Sequence, residues 1–266
     1  MAIKLCSIAS GSSGNCIYLG GEDTGLLVDA GISRKAILES LKGLDICFES
    51  IKALLVTHEH TDHIRSIGAL SRKFDIPIYA NGCTWEAMEG ALGNIKSKNI
   101  KLFETDKEFQ IDNITIKPFL IPHDAAEPVG FTFDIKGLKL GVATDLGTFD
   151  SNTAKNLQGS EFVMLESNHD EEMLKAGDYP YFLKRRIMGE FGHLSNESAG
   201  YAVCELVKSG VEKILLGHLS RENNFPQLAY ETVKGIIEEN NIKYNYDIKL
   251  ELAPRNSISK VFMWGD

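Results

Sequence analysis

The stretch Thr57-His58-Glu59-His60-Thr61-Asp62-His63 puts four good metal-binding side chains into six positions, in the pattern H-x-H-x-D-H. The chain has seven histidines, and three of them fall here. An apolar, strand-like run from Ile51 to Val56 leads into the segment. Alternate side chains of an extended segment point the same way, so His58 and His60 are placed to grip one cation. Asp62 and His63 lie beyond the turn, face the other way, and are placed to grip a second. Glu59 sits between the first two histidines and is expected to point away from their metal. The spacing therefore differs from H-E-x-x-H, where two histidines one helical turn apart share a helix with a glutamate base. Neutral imidazoles with a carboxylate suit zinc, manganese or iron better than calcium or magnesium.

Other candidate ligands sit at the ends of apolar runs. His123 follows the run from Ile114 to Leu120, Asp145 ends the run from Leu138, and His218 ends Ile214-Leu215-Leu216-Gly217. Upstream, Asp29 closes Leu26-Leu27-Val28. Alone, any one of these is more often structural; five strand-end positions in this order are not. Together they resemble the metallo-β-lactamase fold family of metallohydrolases, over residues 26 to 218. The resemblance implies one metal on His58, His60 and His123, and another on Asp62, His63 and His218. It makes Asp145 the bridge between them and Asp29 an acid that orients the ligands from behind. Two metals about 3.5–4 Å apart generate a hydroxide nucleophile from water and stabilise the attacking and leaving oxygens of an in-line displacement. On this reading Ser12, Ser13 and the cysteines are not covalent nucleophiles.

Two further segments narrow the reaction. Phe191-Gly192-His193-Leu194-Ser195-Asn196 resembles the turn before a helix in the nuclease and cyclic phosphodiesterase branch, where that histidine meets the scissile phosphate. Leu165-Glu166-Ser167-Asn168-His169 resembles that branch's H-E-A-T segment, with Leu165 in place of its histidine. His193 is accordingly the candidate general acid, with Glu166 hydrogen-bonded to it as its orienting group and Asp62 counted with the catalytic set. The alternative for His193 is packing against the next helix, which Ser195 is well suited to cap. His169 is assigned equally to pocket lining and surface. Leu216-Gly217-His218-Leu219-Ser220-Arg221 resembles the final motif of the same branch. Ala9-Ser10-Gly11-Ser12-Ser13-Gly14-Asn15, L-E-S-N-H-D, G-H-L-S-N and G-H-L-S-R-E-N together resemble the YycJ/WalJ-type bacterial metallohydrolases from end to end. That resemblance implies a manganese-dependent exonuclease acting 5′ to 3′ on double-stranded DNA. It also implies two divalent transition metals, manganese first and zinc or iron as alternatives, and a nucleic-acid partner. Phosphate contacts are then expected from Ser12, Ser13, Asn15, Ser195, Ser220, Arg221, Arg185 and Arg186. The stretch from Asp145 to His218 leaves no room for the large inserted domain of RNA-processing relatives.

Bulk properties bound these expectations. The 266 residues carry a net charge of −9, with 43% hydrophobic and 24% charged residues, as in an ordinary globular protein. An acidic balance suits a small-molecule substrate better than DNA, although a local basic patch such as Lys184-Arg185-Arg186 and bound metals can override it. A hydrolase for a lactone, thioester or cyclic phosphodiester, an RNA-processing nuclease, and a non-catalytic metal-binding regulator remain the alternatives. Five scattered cysteines without a C-x-x-C pair suit a reducing cytoplasm. Neither a signal peptide nor a bilayer-length apolar run is evident, so no membrane partner is expected.

These residues need strands to end where they stand. The pattern predicts short strands at Ile3–Ile8, Cys16–Leu19 and Leu26–Val28, then a helix from Arg34 to Leu41 capped by Ser33. One helix is predicted over Asp62 to Phe74, and another over Thr84 to Leu92. Strands dominate from Lys101 to Thr144, and a mixed α/β half follows, with helices from Asn152, Pro180, Ser195 and Pro226. Meandering strands followed by α/β units predict an α/β (α+β) protein with two sheets and outer helices. The family resemblance makes this a four-layer αββα sandwich in a single domain, residues 1–266.

Overall fold

The computed structural model describes residues 2–21 and 23–265. Two compact units divide the described chain, one from 1–112, 125–127 and 253–266, the other from 113–124 and 128–252. Each has a sheet with helices on it.

In the first unit the sheet runs β14-β1-β2-β3-β4-β5-β6. Its strands are β1 (Ile3–Ala9), β2 (Cys16–Gly20), β3 (Gly25–Val28), β4 (Ile51–Leu55), β5 (Ile78–Ala80), β6 (Ile100–Leu102) and β14 (Phe262–Trp264). The meander β1-β2-β3 is antiparallel, and β3-β4-β5-β6 is parallel. Parallel neighbours need a crossover, supplied by α1 (Arg34–Gly43), α2 (Thr61–Ile64), α3 (Ile67–Phe74) and α4 (Gly82–Leu92). Ile37 and Leu41 of α1, Ile67 and Leu70 of α3, and Trp85 and Met88 of α4 join Leu27, Leu54 and Ile78 of the strands in one core. The short β7 (Phe109–Ile111) stacks the Phe109 ring on Tyr79 and Phe103 of this unit.

In the second unit β8 (Ile114–Leu120), β9 (Val129–Ile135) and β10 (Leu138–Ala143) form an antiparallel meander. From β10 onward the order β10-β11-β12-β13 is parallel, with β11 at Phe162–Glu166, β12 at Lys213–Gly217 and β13 at Lys249–Leu252. The helices are α5 (Ser151–Leu157), α6 (Glu171–Ala176), α7 (Tyr181–Ile187), α8 (Asn196–Lys208) and α9 (Pro226–Glu239). Leu157, Val203, Leu206, Val233 and Ile237 from these helices pack on Val163, Leu165, Ile214 and Leu216.

Both units therefore end a set of parallel strands on one edge, and the carboxyl ends of parallel strands are where α/β sheets place ligand-binding residues. Register brings those ends level: Val28 pairs with Leu55 in the first unit, and Ala143 with Leu165 and Leu165 with Leu216 in the second.

The sequence reading needs three local corrections. The single helix expected over 62–74 is two, because the chain turns at Ser66 to donate its N–H to Ala30 O (2.8 Å) and its hydroxyl to Ile32 O (2.6 Å). The helix expected from Thr84 starts at Gly82, because Asn81 caps it by accepting from Thr84 N at 2.8 Å. Helix α6 was not anticipated, although Asp170 caps it and Glu171 and Glu172 occupy its first turn, the charge pattern that suits a helix N-terminus. Among the described residues no helix is long and apolar enough to cross a membrane.

Candidate active site

The candidate residues form two groups, one in each unit. In the first, β3 ends at Asp29 and β4 leads through Val56 to Thr57 and His58. Asp29 takes a left-handed backbone (φ 60°) just past the strand, which re-aims its carboxylate along the sheet edge. The carboxylate accepts from Thr57 N (3.0 Å), from the Thr57 hydroxyl (2.8 Å) and from His63 Nδ1 (2.8 Å). Because Thr57 Oγ1 gives its proton to Asp29, it is left to accept from His58 Nδ1 at 3.0 Å. Both histidines thus carry their proton on Nδ1 and turn the Nε2 lone pair outward.

His58 Nε2 lies 3.1 Å from His60 Nδ1, close to the ~3.3 Å that separates two nitrogens held 2.0–2.1 Å from one tetrahedral metal. Asp62 is partly exposed, with Oδ2 3.7 Å from His63 Nε2. Glu59 points elsewhere, as its alternating position requires, and accepts from Ala126 N. Asn15 is buried and fully used: its carbonyl accepts from Gly11 N (2.9 Å), its amide meets His63 Nε2 (3.0 Å), and its N–H donates to Asp62 O (2.8 Å). It braces the histidine loop. Ser12 and Ser13 stand exposed at the tip of the same turn.

Gly31 belongs to this group too. A β-carbon there would come within 1.5 Å of Asp62 O and 2.8 Å of Asn15 N. The residue was visible in the motif after Asp29, but only the fold shows that the glycine makes room for the ligand loop.

In the second unit β10, β11 and β12 present Asp145, Glu166 and His218 at their ends. Asp145 (φ 61°) and His218 (φ 56°) adopt the same left-handed turn as Asp29. Glu166 is fully buried and saturated: Oε2 accepts from Leu146 N (2.7 Å) and Leu194 N (3.1 Å), while Oε1 accepts from His193 Nδ1 (2.9 Å) and His218 Nδ1 (2.6 Å). Burial alone would raise its pKa, but the two imidazoles outweigh that and hold it well below the usual carboxylate range. The expected contact to His193 is present, and the second, to His218, is new. One carboxylate fixes the tautomers of a candidate proton donor and a candidate metal ligand together.

His123 donates Nδ1–H to Gly192 O at 3.1 Å, and burial pushes its pKa down. His193 keeps about a fifth of its side chain exposed. Burial opposes its charged form, but Glu166 prevails and its pKa is raised. Donor atoms of Asp145, Glu166, His193 and His218 lie within 4.8 Å of one another. His63, His123 and His218 each have Nδ1 fixed by a carboxylate or carbonyl, the orientation usual for a metal-ligating histidine. The residues present thus fit a divalent transition metal.

The remaining candidates divide. Ser195 is buried and caps α8, accepting from Ser198 N at 3.2 Å, and Ser220 is buried and accepts from Asn223 N at 3.2 Å. Both hydroxyls shape turns. Arg186 forms a two-bond ion pair with Asp124, Arg221 is exposed and pairs with Glu222 at 3.5 Å, and Arg185 is exposed. His169 is buried, with Nδ1 unpartnered, so its surface assignment is set aside.

Comparison with known proteins bears on these groups. The model of the β-lactamase superfamily domain matches residues 24–219. The chain is 39% identical to exodeoxyribonuclease YycJ of Bacillus anthracis over 90% of each chain, and 37% identical to exodeoxyribonuclease WalJ of Streptococcus pneumoniae over 94% of each. The structure of the metallo-β-lactamase fold protein YhfI from Bacillus subtilis superposes with a TM-score of 0.74 at 18% identity, covering 99% of this chain and 100% of that one. With strand-end histidines and aspartates that fit divalent metals and a family match across most of its length, the chain belongs to the metallo-β-lactamase superfamily and is a metal-dependent hydrolase.

Proposed function

We propose that this hydrolase is a dinuclear, metal-dependent exonuclease that degrades double-stranded DNA from the 5′ end. The observation that carries the reading is the buried Glu166, which ties His193 to His218 and so joins a proton donor to a metal ligand. The names borne by the two relatives, both exodeoxyribonucleases, support DNA as substrate. His58, His60 and His123 would hold one metal, Asp62, His63 and His218 the other, and Asp145 would serve both. Manganese is the first choice, and zinc or iron the alternatives.

When bound, two such metals acidify water and offset the charge of the phosphodiester. The chain's own residues do the rest. Asp29 and Thr57 keep His58 and His63 in the ligating tautomer. His193, with Nδ1 locked by Glu166, presents Nε2–H to the leaving oxygen and gives it a proton as the P–O bond breaks. Glu166 stabilises the imidazolium before transfer and stays ionised, because four donors surround it. Ser12, Ser13, Arg185 and Arg221 are the exposed groups available to backbone phosphate.

Linear and covalently closed circular duplex, offered side by side with manganese, test the reading. Loss of the linear form alone is expected. Equal degradation of both would refute an exonuclease. The net charge of −9 favours one other reading, a small cyclic phosphodiester, and rapid hydrolysis of that ester with neither DNA degraded would establish it.

A further inference from the structure

Helix α7 has no buried residue. Helices this short are not stable alone in water and ordinarily persist by burying an apolar face. Here Tyr181 and Phe182 are 75% and 74% exposed, and Phe191, just past the helix, is 58% exposed. The helix is held instead by polar pins. Lys184 Nζ donates to Lys175 O (2.7 Å), Arg186 pairs with Asp124 beside His123, and His193 N–H donates to Ile187 O (2.9 Å). The last pin is tight, since a β-carbon on Gly192 would come within 2.2 Å of Ile187 O. The fold thus ties the helix that bears these exposed rings to the segment that carries His193.

Helix α7 itself carries Lys184, Arg185 and Arg186 and no carboxylate, in a chain whose net charge is −9; Asp178 and Glu190 flank it, and Asp124 pairs Arg186. Aromatic faces interleaved with Lys and Arg are the makings of a single-strand platform, where bases stack on rings and cations follow the backbone. An apolar protein partner would not call for the local positive charge.

We propose that α7 is the platform on which unpaired nucleotides at a DNA end stack, Tyr181 and Phe182 meeting bases and Arg185 the backbone. The proposal rests on the nuclease reading above and adds to it a preference for a frayed or overhanging end. Seven helical residues rise about 10 Å, or about three steps of a strand at 3.4 Å each. A strand reaching His193 past Ile187 would therefore have some three nucleotides over the helix.

The test uses the full chain loaded with manganese, a duplex with a four-nucleotide overhang containing 2-aminopurine, and a mononucleotide 4-nitrophenyl ester too short to reach the helix. The variants are Tyr181→Ala with Phe182→Ala, and Tyr181→Phe. Loss of stacking should raise KM for the overhang duplex roughly 10- to 100-fold and abolish 2-aminopurine quenching, an effect the short ester does not share. Tyr181→Phe should behave as wild type. Unchanged KM and quenching in the double variant, with wild type degrading DNA, overturns the platform. Equal losses on both substrates would make α7 a support for His193 and overturn it too, as would a wild-type dimer that the double variant dissociates. A wild type that cleaves the ester but no DNA overturns the nuclease reading itself.

Discussion

Gly31→Ala is the sharpest test of how the first group is held. A methyl at this position would sit 1.5 Å from Asp62 O and 2.8 Å from Asn15 N, and neither atom belongs to a flexible side chain. The loop carrying Asp62 and His63 must therefore move by more than an ångström. Overpacking of this kind costs about 1–3 kcal/mol, and losing the Asn15 N–H bond to Asp62 O adds about 1 kcal/mol. A total of about 2–4 kcal/mol corresponds to a fall in Tm of roughly 5–15 °C for a chain of this size. Because the moving carbonyl belongs to a proposed ligand, metal content should fall together with Tm. The assay is thermal unfolding with elemental analysis of the same samples. Gly235→Ala in α9 and Gly90→Ala in α4 are the controls: a β-carbon there meets nothing within 4 Å, and both should gain about 0.5–1 kcal/mol as helix alanines. Normal Tm and metal content in Gly31→Ala would refute the argument that this glycine shapes the metal loop.

Three other outcomes are expected. His193→Ala should keep its metals and its fold but turn over roughly 10²–10⁴-fold more slowly, with partial recovery on an ester with a better leaving group; near-normal turnover would remove His193 from proton transfer. Thr57→Ala takes away the hydroxyl that links Asp29 to His58 and should weaken metal affinity about 10- to 100-fold, read by competition with a chelator. Burial lowers the pKa of His169 to about 4, against the opposing pull of Glu166. A depressed histidine stabilises the fold above its unfolded pKa of about 6.5 and loses that contribution as pH falls toward about 4. Metal-stripped wild type should therefore lose about 3 kcal/mol more than His169→Gln between pH 7 and 4, measured by urea unfolding, and parallel curves for the two proteins would contradict the burial argument.

The candidate ligand positions stood out in the sequence because each combines a chemically distinct side chain with the end of an apolar run. His58, His123, Asp145 and His218 all stand where β propensity stops. The two sheets followed from the same runs, as did α1 and α9, whose Ser33 cap and Pro226 start are local signals. What escaped was set by contacts distant in sequence. The break at Ser66 depends on Ala30 and Ile32, and the full use of Asn15 depends on Gly11, Asp62 and His63. Glu166's bond to His218 spans 52 positions, and nothing in L-E-S-N-H-D announces it. The serines offered to phosphate illustrate a limit of another kind. Ser195 and Ser220 have the right chemistry and neighbourhood, but both are buried and accept turn N–H bonds, which only the fold shows.

Asp29, Asp145 and His218 share one backbone anomaly, a left-handed conformation at the end of a strand. For an L-residue this costs roughly 1–2 kcal/mol each, and glycine would relieve it at all three. Asp29 offsets it by accepting three buried hydrogen bonds, and His218 by its bond to Glu166. A glycine at Asp29 or His218 would therefore exchange strain for unpartnered buried groups and weaken the scaffold.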